Sequence, residues 1–289
     1  MSNYVITTDN NSDLPESYME EHGIGCVFLS YSIDGKQYNH EDFLSNPEFY
    51  RLMREGSMPT TAQANPESVK EMMTTYLEKG LDILHISFSS GLSGTCNSSR
   101  IAAEELQEEY PDRKIVIVDS LAASLGEGLL VHYVLKQKEN GATLEEAAKW
   151  AEDHKLNMVH LFTVDNLFHL HRGGRVSKTT AIVGSMLNIK PILHVDDEGH
   201  LTPLDKVRGR KKSLNTLFDL MDQYIGSYKD SCDTVFISHG DCQEEAEYLM
   251  GKVKERYQLN VELINYVGAT IGAHSGPGTM ALFFMGDHR

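Results

Sequence analysis

Ser87-Phe-Ser-Ser-Gly-Leu-Ser-Gly-Thr-Cys-Asn-Ser-Ser99 is the stretch on which the fold turns. Leu81 to Phe88, leading into it, is short, apolar and partly alternating, as a buried strand is. After it, Ile101, Ala102 and Leu106 recur at helical spacing among glutamates. The stretch is therefore a strand-to-helix turn crowded with hydroxyls, with Gly91 and Gly94 three residues apart. Glycine lets a ligand approach the main chain closely, and a helix N-terminus offers free N–H groups and partial positive charge. The same residues, Ser89, Ser90, Ser93 and Thr95, also suit a plain turn and N-cap. Read functionally, the turn is a seat for a carboxylate or a phosphate.

Outward from this turn, strands and helices alternate. Tyr4 to Thr8 reads as a strand ending at Asp9, followed by a polar turn in which Asp13 suits a helix cap. Cys26 to Tyr38 reads as a hairpin turning at Asp34-Gly35. Asn65 and Pro66 open a helix with Val69, Met72, Met73, Tyr76 and Leu77 on one face. Lys114 to Val118 is a further strand ending at Asp119-Ser120, and Thr143 to Glu146 forms a capping box. This alternation predicts a parallel sheet covered on both faces. Ligands in such sheets bind at the carboxyl ends of strands, where the Ser93 loop lies. From Met158 onward hairpins appear among helices, including one around Asp196-Asp-Glu-Gly199. The expected architecture is thus an α/β domain over 1–156 with a small hairpin insertion near 25–40. An α+β domain over 157–289 completes it, with a ligand cleft between the two.

Composition narrows the function. The 289 residues carry a formal net charge of −16, which disfavours nucleic acid and anionic membranes as partners. Cys26, Cys96, Cys232 and Cys242 are scattered, without zinc or disulfide spacing. His169 and His171 have no carboxylate or cysteine at ligand spacing, so no metal is expected. No signal peptide and no membrane-spanning run is read, and the expected location is cytoplasmic. Gly91 to Thr95 falls short of a nucleophile elbow because Thr95 stands where the second glycine belongs. A serine hydrolase using Ser93, with Asp119 or Asp241 and His274, is the alternative reading. His274, among small residues, could serve an anion as a donor or bond to loop backbone. Arg172 and Arg175, with Lys178, Arg208, Arg210, Lys211 and Lys212, concentrate positive charge in an acidic chain; such runs also form solvated faces.

Taken together, Ile-Thr-Thr-Asp-Asn-Asn-Ser-Asp-Leu-Pro15, Thr61-Ala-Gln63, Ser-Ser-Gly-Leu-Ser-Gly-Thr95, Val-Asp-Ser120, Arg-Gly-Gly-Arg175 and Ile-Gly-Ala-His-Ser-Gly-Pro-Gly278 resemble the DegV family. The resemblance spans nearly the whole chain in the family's order. It implies a two-domain, non-enzymatic carrier that holds a long-chain fatty acid between its domains. It further implies presentation of the carboxylate to a separate kinase subunit, with no cofactor. Thr61, Ser93 and His274 match the family's carboxylate-binding positions, and Gly94 N–H would join them as a donor. Asp9, Asn10, Ala62 and Ser120 would line or back the cleft. Arg172 and Arg175 match the Arg-Gly-Gly-Arg motif and are expected to face the kinase. The sequence departs from the family in Asn10, where serine is usual, and in Ala62 and Ala64 within the usual Thr-Ser-Gln-Pro.

Overall fold

In a computed structural model, which describes residues 3–177 and 188–289, the chain builds two main sheets and one small one. Strands β1 (Tyr4–Asp9), β2 (Gly25–Val27), β6 (Asp82–Ser87) and β7 (Ile115–Asp119) form an all-parallel sheet in the order β2-β1-β6-β7. The two central strands, β1 and β6, are nearly continuous runs of buried residues, as both-sided coverage requires, and the edge strand β7 is half-buried over Ile115 to Ile117. Helices α1 (Glu16–His22), α3 (Pro66–Leu77), α4 (Thr95–Glu109), α5 (Leu125–Glu139) and α6 (Leu144–His154) connect and cover them. Asn65 caps α3 by accepting from Glu67 N, with Pro66 in the first turn. Thr143 and Glu146 form the reciprocal capping box of α6.

The hairpin expected over 26–38 divides. Cys26 lies in β2 and pairs with Thr8 in the parallel sheet, and only β3 (Tyr31–Ile33) and β4 (Lys36–Tyr38) turn at Asp34-Gly35. Both turn residues have positive φ, 50° and 84°. Strand β5 (Thr60–Thr61) adds to β3, so that Thr61 lies opposite Tyr31. Helix α2 (Asn46–Arg54) packs Phe49, Tyr50 and Met53 onto this small sheet.

The mixed sheet contains β8 (Met158–Thr163), β9 (Ile189–Val195), β10 (Leu201–Arg208), β11 (Thr234–His239), β12 (Val261–Tyr266) and β13 (Met280–Met285). Their order is β10-β9-β8-β13-β11-β12, antiparallel except for β11 with β12. Helices α7 (Phe168–Arg172), α8 (Arg210–Tyr224), α9 (Gln243–Arg256) and α10 (Ala269–Ser275) complete it. The glycine-rich stretch around His274, read from sequence as a loop, is thus largely helix. Gly272 suits that helix because a Cβ there would meet Tyr50 Oη at 2.5 Å.

One helix joins the two sheets. Helix α5 packs against β1 and β6 on one side and against β8, β11 and β13 on the other. Leu125, Leu129, Leu130, Val131 and Val134 are all fully buried, and they belong to one core with Ile6, Leu84, Phe162 and Phe283. Gly126 and Gly128 permit this closeness: a Cβ would lie 2.0 Å from His160 Nε2 at the first and 2.7 Å from the Ser12 carbonyl oxygen at the second. Because both sheets share this helix, Leu130→Ala should cost about 2–5 kcal/mol. Denaturant unfolding followed by far-UV and near-UV signals should still give one transition; two separated transitions would show that the sheets fold independently.

Candidate functional site

Where the carboxyl ends of the parallel strands face the mixed sheet there is a cavity of about 270 Å³. Leu29, Phe88, Leu92, Phe162, Leu170, Val195, Leu201, Ile271 and Phe283 give it apolar walls drawn from both sheets. Thr61, Ala62, Gln63, Ser93, Gly94, Arg175 and His274 line it as well.

The polar groups on the wall are held in place by hydrogen bonds within the protein. Thr95 Oγ1 accepts from Ala64 N at 3.2 Å and lies 2.9 Å from Ser93 Oγ. Ser93 Oγ also accepts from Thr95 N at 3.2 Å. With Thr95 donating to Ser93, both lone pairs of Ser93 are engaged and its O–H is available. Gly94 N–H, just before the first turn of α4, has no protein acceptor among the described residues. The 15-residue helix directs its positive end at the same place.

On the opposite wall, Thr61 Oγ1 and His274 Nε2 are 2.8 Å apart. Burial first, then the charges of Arg175 and Arg172, lower the His274 pKa to about 4. The ring is therefore neutral at neutral pH and carries one proton. Nδ1 has no partner among the described residues. In the tautomer protonated at Nε2, Nε2–H donates to Thr61, whose own O–H is then left for a ligand. Two segments bring this pair together. Tyr50 Oη donates to the Val267 carbonyl at 2.7 Å, docking the small sheet on α10. Gly173 gives the imidazole room, since a Cβ there would lie 2.1 Å from Nδ1.

Of the other residues singled out in the sequence, Asp9, Asn10 and Ser120 stand outside the cavity wall and brace it. Asp9 accepts from Phe88 N at 2.9 Å and from Asn11 Nδ2 at 2.6 Å, joining the ends of β1 and β6. Burial raises its pKa to about 6 against those hydrogen bonds. Asn10 Oδ1 accepts from Leu29 N at 2.9 Å, and Ser120 Oγ from Ala122 N at 3.1 Å. Arg172 and Arg175, read as projecting from the rim, turn inward. Arg172 Nη2 donates to the carbonyls of Pro59 and Ala273 at 2.8 and 2.9 Å. Arg175 Nε and Nη2 both donate to the Leu92 carbonyl, at 3.1 and 3.0 Å. Lys178 lies outside the described residues, and Arg210 pairs with Glu245. Sequence reasoning did not single out Gln63, Asn11, Ser124 or His160, which also line the cavity. Ser93 has Thr95 and His274 has Thr61 as hydrogen-bond partner, so Ser93 is not paired with a base.

Asp13 fixes the start of the helix that carries His274. Its carboxylate accepts from Gly268 N at 2.9 Å and from Ser124 Oγ, and its carbonyl accepts from Asn265 Nδ2 at 2.8 Å.

Two predictions follow from this geometry. Gly173 has a φ of −75°, open to any residue, so Gly173→Ala collides with His274 alone. Ligand affinity should fall roughly tenfold, and the loss should vanish when His274 is already alanine, as a double-mutant cycle would show. The second concerns Asp13, whose pKa burial raises from 3.8 to about 7. Since the folded value is the higher, its stabilisation is full below 3.8 and is lost as pH rises through about 7. Wild type should therefore lose stability relative to Asp13→Asn between about pH 5 and about pH 8, at up to about 1.4 kcal/mol per pH unit. Denaturant titrations of both proteins at the two pH values measure this, and parallel curves would refute it.

Comparison with known proteins agrees with the architecture. The DegV family profile matches residues 3–287. A DegV domain-containing protein of Clostridium perfringens is 46% identical over 289 residues, covering 99% of each chain. Among solved structures, a DegV family protein from Thermus thermophilus, described for its fatty acid binding, superposes with a TM-score of 0.87 at 28% identity, covering 98% of this chain and 99% of that one. A stearic acid-binding protein from Eubacterium ventriosum superposes at 0.89 with 26% identity and 98% coverage of both. Matched end to end by the profile and by the clostridial relative, the chain belongs to the DegV family.

Proposed function

We propose that this chain binds a long-chain fatty acid in the cavity and presents its carboxylate to a separate kinase subunit for conversion to an acyl phosphate. The observation that carries the reading is the pairing of one polar end with apolar walls. The hydroxyls of Ser93 and Thr61 and the Gly94 N–H all line the cavity, with Ser93 and Gly94 at the positive end of α4. A fatty acid carboxylate is ionised at neutral pH and needs donors of this kind out of water. His274 acts through Thr61 as a positioning residue. Ala62, the next residue on the cavity wall, offers no hydroxyl beside Thr61. The walls suit an alkyl tail, which contributes roughly 0.8 kcal/mol per buried methylene. Affinity then rests mostly on the tail and orientation on the head group. The DegV proteins of Thermus thermophilus and Eubacterium ventriosum, described as binding fatty acid and stearic acid, support the same ligand class here.

The kinase would reach the carboxylate at the rim formed by Thr61, Ser93 and His274. Arg172 and Arg175 are half-buried beside it. We assign them two roles, holding the rim carbonyls and offering their remaining charged edges to the kinase. Lipid released from the purified protein by denaturing extraction should be a long-chain fatty acid by mass spectrometry. Ser93→Ala removes one charge-assisted donor and should cost about 1.5–3 kcal/mol of head-group binding. Acyl-phosphate formation by the kinase subunit should drop in parallel. Unchanged retention and turnover in Ser93→Ala, or no lipid in the extract, would remove the basis of this assignment.

A further inference from the structure

Beyond the carboxylate seat, the polar groups lining the cavity are mostly engaged by the protein itself. Asn11 Nδ2 donates to Asp9, and Ser124 Oγ bonds Asp13 and Ser238 Oγ. His160 donates from Nδ1 to the Met158 carbonyl at 2.8 Å and accepts from Ala123 N at Nε2. Thr279 Oγ1 donates to the Gly276 carbonyl at 2.8 Å. Two hydroxyls stand apart. Thr270 Oγ1 and Ser275 Oγ line the cavity on α10, have no hydrogen-bond partner, and belong to residues only 4% and 5% exposed. Helical Ser and Thr commonly bond back to a carbonyl one turn earlier; neither of these does.

Their position separates them from the carboxylate. Thr270 precedes His274 by four residues, so both lie on one face of α10, about 6 Å apart along its axis. Thr270 lies near the N-terminal end of α10, close in sequence to the wall residue Val267, and Ser275 lies at the other end. A tail that runs from Thr61 and Ser93 along α10 toward that end passes Thr270 with its chain carbons. Alongside a plain alkyl chain the Thr270 hydroxyl stays buried and unmatched, which weakens binding. A ligand hydroxyl both donates and accepts and so complements it. Sites with a buried polar group discriminate best against ligands that leave it unpaired.

We infer that the cavity prefers long-chain fatty acids bearing a hydroxyl on the chain, with Thr270 as the hydroxyl's partner. The inference rests on the fatty-acid reading above. It is tested with the full-length protein freed of lipid, by equilibrium binding of octadecanoic acid and a positional series of its monohydroxylated forms. At least one isomer should bind about three- to tenfold tighter than octadecanoic acid. Thr270→Val, similar in shape, should abolish that advantage while binding octadecanoic acid as well as wild type or better. Thr270→Ser should keep the advantage. Octadecanoic acid bound with no isomer exceeding it overturns the inference and leaves the fatty-acid reading intact; this is also the result if water, and not a ligand oxygen, satisfies Thr270. Proportionate loss of all ligands in Thr270→Val, with a lowered melting temperature, assigns Thr270 to the fold and overturns it too. Failure to bind octadecanoic acid and every isomer ends both readings.

Discussion

Helix α5 has no solvent-facing stripe, because apolar groups of one sheet or the other meet it on nearly every side. A helix buried in this way holds two sheets at a fixed separation, and the cavity lies at its N-terminal end. Ala123 and Ser124, just ahead of it, form part of the wall. Gly126 and Gly128 draw it against His160 and the main chain of Ser12, so loops from distant parts of the sequence meet around one space. Glu127, the buried carboxylate of the helix, is bonded by Thr8 Oγ1 at 2.9 Å. Burial, with the nearby Asp9, pushes its pKa well above the ordinary range, which favours the neutral form in the core.

The polar wall of the cavity follows the same economy of charge. An ionised head group in a dry site requires hydrogen bonds or opposite charge. On the proposed reading, hydroxyls, a main-chain N–H and a helix terminus would meet that need, with Arg175 on the same wall. Arg172 and Arg175 stay within electrostatic reach and bind carbonyls. Their charge, secondary to burial, helps keep His274 neutral. A neutral imidazole can hold Thr61 in one orientation without competing for the ligand as an ion.

The parts legible in the sequence were those encoded locally. The strand-turn-helix at Ser87 to Ser99, the Asn65-Pro66 cap, the Thr143 capping box and the Asp34-Gly35 turn each depend on neighbours a few residues away. Strand β2 was read into a hairpin because its actual partner, β1, lies about twenty residues earlier, and nothing local marks a three-residue parallel strand. The helix bearing His274 was hidden by its glycines: packing against Tyr50 and the Asp13 bond to Gly268 overrule their weak helical propensity. Ser124 and His160 carry no signal in their own segments, and Gln63 and Asn11 stand in the sequence only as members of quoted motifs; the folded chain brings all four to the cavity. Ser93 and His274 are legible as anion-site candidates in their own segments, Thr61 only through the family resemblance and Gly173 only as part of a motif; its closeness to an imidazole a hundred residues on is a property of the folded chain.

That glycine explains why the Arg-Gly-Gly-Arg turn sits where it does. Arg172 binds carbonyls of Pro59, two residues before Thr61, and of Ala273, next to His274. Arg175 binds the carbonyl of Leu92, next to Ser93, and Gly173 makes space for the His274 ring. One short turn thus touches the three segments that carry Thr61, Ser93 and His274. On the proposed reading, a partner seated on this turn would be coupled to the carboxylate through the hydrogen bonds that Arg172 and Arg175 make to those segments.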